Sequence, residues 1–85
     1  MMPLTLAATG DRVQVVKVGG SSEQKKHLED MGFVAGAQVE IVSTVGEGNL
    51  VVNVKGSRFA LGKQIGIKVL AHHEFGVHEV LLAHA

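Results

Sequence analysis

Short valine-rich runs separated by glycine dominate the chain, and within each run the apolar residues recur with a period close to two. That spacing puts them on one face of a strand, so the pattern predicts a small barrel or sandwich. The first run is Arg12 to Val18. Val13 and Val15 share one face, then the phase slips and Val16 and Val18 share the other, which predicts a bulge or strong bend. A later strand carries Val39, Ile41 and Val45, with Glu40 and Ser43 outward, and Gly46-Glu47-Gly48-Asn49 forms the connection after it. In Leu50 to Leu61 a two-residue Gly56-Ser57 loop of type II′ pairs Val54 with Phe59 and Val52 with Leu61. The opposite face then pairs Asn53 with Ala60 and Lys55 with Arg58, so apolar and polar side chains separate cleanly.

One helix interrupts the strands. Ser21 suits its N-cap and Gln24, three places on, completes a capping box. The helix runs through Leu28 to Met31 and stops at Gly32, which fits the left-handed C′ position and carries Phe33 over Leu28. Only Leu28 and Met31 are strongly apolar within it, a narrow stripe that predicts a helix lying on the barrel. Ala35-Gly36 makes a turn with positive φ at Gly36. Gly62 to Gly66 is too short and glycine-rich for more than a 3-10 or helical turn, and Ile67 to Leu70 supplies a last strand closing against the first. The sum is a small all-β fold: an SH3-like five-stranded barrel with one α-helix and a short 3-10 or helical turn.

Composition narrows the function classes. The 85 residues suit one domain with a modest core, and eight basic residues balance eight acidic ones. No long-range field therefore draws the chain to nucleic acid or anionic lipid. The absence of cysteine removes disulfides, thiolate metal sites and cysteine nucleophiles together. There is no apolar run of about 18 residues and no signal-peptide pattern, so a cytoplasmic protein is expected.

Candidate chemistry is sparse. Ser21, Ser22, Ser43 and Ser57 all have structural reasons at caps, turns or strand faces, and no nucleophile–base constellation stands out, so the chain is not expected to be an enzyme or to need a cofactor. With no Trp or Tyr, polyproline recognition is improbable. The basic Lys25-Lys26-His27 cluster lies among Glu23, Glu29 and Asp30, which favours a solvated, salt-bridged helix face over an RNA site. The segment after Leu70 carries His72, His73, Glu74, His78, Glu79 and His84, groups suited to zinc or ferrous iron, although Gly76 weakens any helix that would align Glu74 with His78. For a protein partner, the best contact surface is the helix and its exit: Lys25, Met31, Phe33 and Val34.

The punctuation of the chain resembles the FeoA family. Pro3-Leu4-Thr5-Leu6, Gly10, Gly19-Gly20, and Leu28-Glu29-Asp30-Met31-Gly32-Phe33-Val34-Ala35-Gly36-Ala37-Gln38-Val39 carry the likeness, with Gly56-Ser57-Arg58-Phe59-Ala60-Leu61-Gly62 and Ile67-Lys68-Val69. Ala35 stands where the family usually has proline, and Gly66 where it usually has alanine. The resemblance spans residues 3 to 70 and divides the chain into an SH3-like barrel at 1–70 and a histidine-containing extension at 71–85. It implies a cytoplasmic adaptor of ferrous-iron uptake that docks on the membrane permease FeoB, and it allows a homo-oligomer. Two alternatives stand beside it: a metal-responsive regulator using the tail histidines, and a stand-alone repressor-type module that binds a protein segment.

Overall fold

The structure is a computed structural model and describes residues 1–73. Strand β1 (Met2–Pro3) leads into a 3-10 turn (Leu4–Leu6), β2 (Arg12–Val18) and helix α1 (Ser22–Asp30). Strands β3 (Gln38–Val45), β4 (Asn49–Val54) and β5 (Ser57–Leu61) follow, then the one-turn helix α2 (Lys63–Gly66) and β6 (Val69–His73). They form one sheet in the order β1-β6-β2-β3-β4-β5, and every neighbouring pair is antiparallel. This is the small all-β fold that the valine pattern predicts, with a sixth strand added. Met2 and Pro3 pair with Ala71 and Leu70 on the open side of β6. Two residues are too few to show a period, and the proline is tolerated because β1 is an edge.

Strand β6 begins two residues later than expected. Ile67 caps α2 in helical geometry, its N–H bonded to the Lys63 carbonyl at 3.0 Å, and its side chain is 48% exposed. The strand instead runs on, bringing His73 opposite Val13 and His72 opposite Gln14.

The predicted slip in β2 is present as a bulge between Val15 and Lys17 against β6, but its effect differs from the expectation. One extra residue returns Val18 to the core beside Val13 and Val15, while Val16 is left 40% exposed. A second bulge lies between Ile41 and Ser43, and beyond it Val45 faces outward at 57% exposure instead of joining Val39 and Ile41 inside.

The β4–β5 hairpin turns one residue earlier than the sequence reading places it. Val54 lies opposite Ser57, Val52 opposite Phe59 and Leu50 opposite Leu61. The loop is Lys55-Gly56, with φ of 51° and 82°, the all-positive geometry of a type I′ turn that matches strand twist. This register differs from the expected one by two residues, so each side chain keeps its face. It wins because Leu50 and Leu61 now meet, and both are buried.

Helix α1 forms as its signals predict. The Ser21 hydroxyl accepts from the Gln24 N–H at 3.2 Å, and the Gln24 side chain accepts from the Ser21 N–H at 3.3 Å. At the other end the Phe33 N–H reaches the Leu28 carbonyl and the Gly32 N–H reaches Glu29, both at 3.0 Å, with Gly32 at φ +108°. This reversal sends Phe33 into the core with Leu4, Leu28 and Ile41.

Candidate partner-binding groove

Helix α1 contributes one buried residue, Leu28, so it rests on the sheet and leaves a depression along each flank. On one flank an open groove of about 350 Å³ runs between α1 and the β5–α2 corner. Leu28, Met31, Leu61 and Ile65 give it an apolar floor, and Glu23, Gln24 and His27 form its rim. On the other flank a smaller depression of about 180 Å³ includes Val16, Lys17, Lys25, Glu29 and Val34.

The four residues expected to form one contact surface are therefore divided. Met31 is half-buried in the larger groove, whereas exposed Lys25 and half-buried Val34 border the smaller one. Phe33 lies beneath the smaller depression and helps to line it, with a side chain that is 0% exposed and a ring 6.2 Å from that of Phe59 at a tilt of 54°. The physical reason is the Schellman turn, which points the residue after Gly32 inward. Sequence reading missed Ile65 and Leu61. Ile65 could have been found as the one large apolar residue in the otherwise polar Lys63–Gly66 turn.

The histidines of β6 are held by polar partners on neighbouring segments. His72 Nε2 lies 3.0 Å from Gln14 Oε1, and His73 Nε2 lies 3.0 Å from Asp11 Oδ2. Among the described residues no three His, Asp or Glu side chains are grouped to hold a metal ion. Glu74, His78, Glu79 and His84 lie outside the described residues. The Asp11 carboxylate also accepts the Ala8 N–H at 2.8 Å. That backbone bond, and then His73, favour its charged form and hold its pKa below the ordinary 3.8, against a small opposing effect of desolvation.

A depressed carboxylate pKa adds stability that is fully present above the unfolded value and disappears as pH falls through the folded one. Because Asp11 and His73 are partly exposed, the contribution is small. Asp11→Ala is expected to lower the melting temperature by about 2–4 °C near neutral pH. The gap should close as pH falls below the ordinary carboxylate range. Melts followed by circular dichroism across that range check it, and a gap that stays constant down to the lowest pH would exclude a role for the charge.

An SH3-like barrel with an apolar groove beside its helix is a scaffold for binding. The FeoA domain model matches residues 2–73, and the chain belongs to the FeoA family of ferrous-iron transport proteins. It is 27% identical over 77 residues to a Methanocaldococcus jannaschii protein named Fe(2+) transport protein A, covering 89% of this chain and 93% of that relative. A crystal structure of an iron uptake regulatory protein, FeoA, superposes with a TM-score of 0.76 at 29% identity, covering 85% of this chain and 95% of the other. Stenotrophomonas maltophilia FeoA, a prokaryotic SH3 domain protein solved with zinc, gives 0.74 at 26% identity over 85% and 91% of the two chains. These relatives carry transport and regulatory names. Among the described residues no helix is long and apolar enough to cross a membrane.

Proposed function

We propose that this protein is a non-enzymatic, cytoplasmic adaptor that docks on the FeoB-type ferrous-iron permease and modulates uptake. The observation that carries this reading is the groove between α1 and the β5–α2 corner. Its floor is apolar, its rim is polar, and about 350 Å³ is room for a few side chains of a partner segment, not for a large ligand. Of the four apolar floor residues, Met31 and Ile65 are the two that remain partly accessible, so they are the anchors a partner would meet.

The test joins a deletion strain with a groove variant. Met31→Glu with Ile65→Lys alters half-buried positions and leaves the core residues Leu28 and Leu61 in place. The variant is expected to fold, to lose co-purification with the permease by at least about tenfold, and to reduce iron uptake to the level of the deletion strain. Uptake that is unchanged in the deletion strain, with the permease intact, rules the adaptor reading out.

A further inference from the structure

Strand β5 is one edge of the sheet, and neither proline nor bulge closes it to pairing. The opposite edge, β1, is two residues long and includes Pro3. Along β5 the hydrogen-bonding groups alternate in direction. Val54 and Ser57 flank the two-residue turn, so they exchange both main-chain bonds, as do Val52 with Phe59 and Leu50 with Leu61. Arg58 and Ala60 therefore aim their N–H and C=O outward, where nothing among the described residues bonds them. Apolar surface lies on both sides of this edge. On the helix side Leu61 continues into the groove of Met31 and Ile65. On the outer side the bulge after Ile41 turns Val45 outward, 57% exposed, onto the face of Val51 and Ala60. A depression of about 290 Å³ lies there and shares Ala60, Leu61 and Gly62 with the groove. Arg58 ends the apolar stretch on that face, and among the described residues it forms no ion pair.

We propose that the partner docks as an added strand, an extended segment of three apolar residues followed by an acid, paired antiparallel with β5. The inference rests on the groove reading and states the form of the groove's occupant. Arg58 and Ala60 call for a main chain whose N–H and C=O alternate at the same spacing. An extended polypeptide supplies that, whereas a helix has bonded its own groups and a nucleic acid or lipid has none. Side chains opposite Leu61 and Phe59 face the groove, and the one opposite Ala60 covers Val45 and Val51. The residue opposite Arg58 is the acid, since unlike charges directly across a ladder support the pair. A second copy of β5 fits less well. Ser57-Arg58-Phe59-Ala60-Leu61 offers no carboxylate, and pairing about Phe59 would set the copy's arginine over the Val45–Val51 patch.

An NMR titration of the full chain with the peptide Ser-Ser-Val-Val-Val-Glu-Ser-Ser tests the pairing. Shifts are expected at Met31, Val45, Val51, Arg58 and Ala60, with slower hydrogen exchange at the Arg58 and Ala60 amides. Methylating the amide nitrogens of the second valine and the glutamate should weaken binding roughly tenfold or more, because both point at β5. Methylating those of the first and third valines should change it by less than roughly threefold. A peptide with lysine for glutamate should bind at least roughly threefold worse, and Arg58→Glu should reverse that order. Ala60→Pro removes an outward N–H that β4 does not use, so the variant is expected to fold. It should lose both the peptide and co-purification with the permease. If it fails to fold, Val45→Lys is the substitute, with an expected loss of roughly threefold to tenfold. No binding, equal loss from either pair of methylations, shifts confined to α1, or self-association of the free chain that Ala60→Pro abolishes would each overturn the proposal. Permease kept by the edge variant but lost by Met31→Glu with Ile65→Lys overturns the added strand and leaves the groove reading standing. Permease kept by both overturns both.

Discussion

Phe33→Ala is expected to cost about 3–5 kcal/mol, a large share of the total stability of a domain this size, about 4–13 kcal/mol. The side chain is the largest of the fully buried set, and its ring packs near Phe59. Removing it opens a void bounded by helix α1 on one side and the sheet on the other. Neither wall can collapse readily, because the Phe33 N–H is tied to Leu28 and Leu28 is itself buried. Urea denaturation should show a much lower midpoint with an unchanged slope. Phe33→Leu should recover most of the loss, since it restores most of the volume. A midpoint within about 0.5 kcal/mol of the parent for the alanine variant would show that the helix exit is not part of the core.

The residue before it gives the second large effect. Gly32→Val should destabilise the protein by about 2–5 kcal/mol, combining a left-handed backbone that β-branched residues resist with a steric conflict. A Cβ at Gly32 would lie 3.0 Å from the Val54 methyl and 3.5 Å from Lys55 Cδ. Gly36 is the control. It also has positive φ, at +89°, but a Cβ there meets nothing within 4 Å. Gly36→Val should therefore show the backbone effect alone, about 1–3 kcal/mol. Equal losses at the two positions, measured by thermal or urea melts, would mean that the approach of α1 to the hairpin contributes nothing.

Those two neighbours also mark what could be read from the sequence. The capping box at Ser21, the Schellman stop at Gly32 and the faces of the β4–β5 hairpin are local features, set by residues within about a dozen positions of one another, and all are found in the structure. What failed depended on distant pairing. The outward placement of Val16 and Val45 follows from bulges that are defined only against β6 and β4. The hairpin register required a choice between two turns containing Gly56, and the long-range meeting of Leu50 with Leu61 decided it. The site was less legible than the fold. Lys25, Met31 and Val34 lie on one helix and its exit, yet Met31 lines one flank of the helix while Lys25 and Val34 border the other. Ile65 and Leu61 join Met31 because the β5–α2 corner forms the opposite wall of the groove.

The position of β6 has a consequence for biosynthesis. It is the last of the described strands, but it lies between β1 and β2, which are made first. Until His73 has left the ribosome, β1 has no neighbour to pair with and β2 has one bare edge. Contacts between the two ends of the chain carry a high loop-closure cost and form late. The β3–β4–β5 meander can pair before β6 is made, but the sheet is complete only once Val69–His73 has joined it. Synthesis stalled before Val69 would thus present a valine-rich open edge to chaperones and proteases.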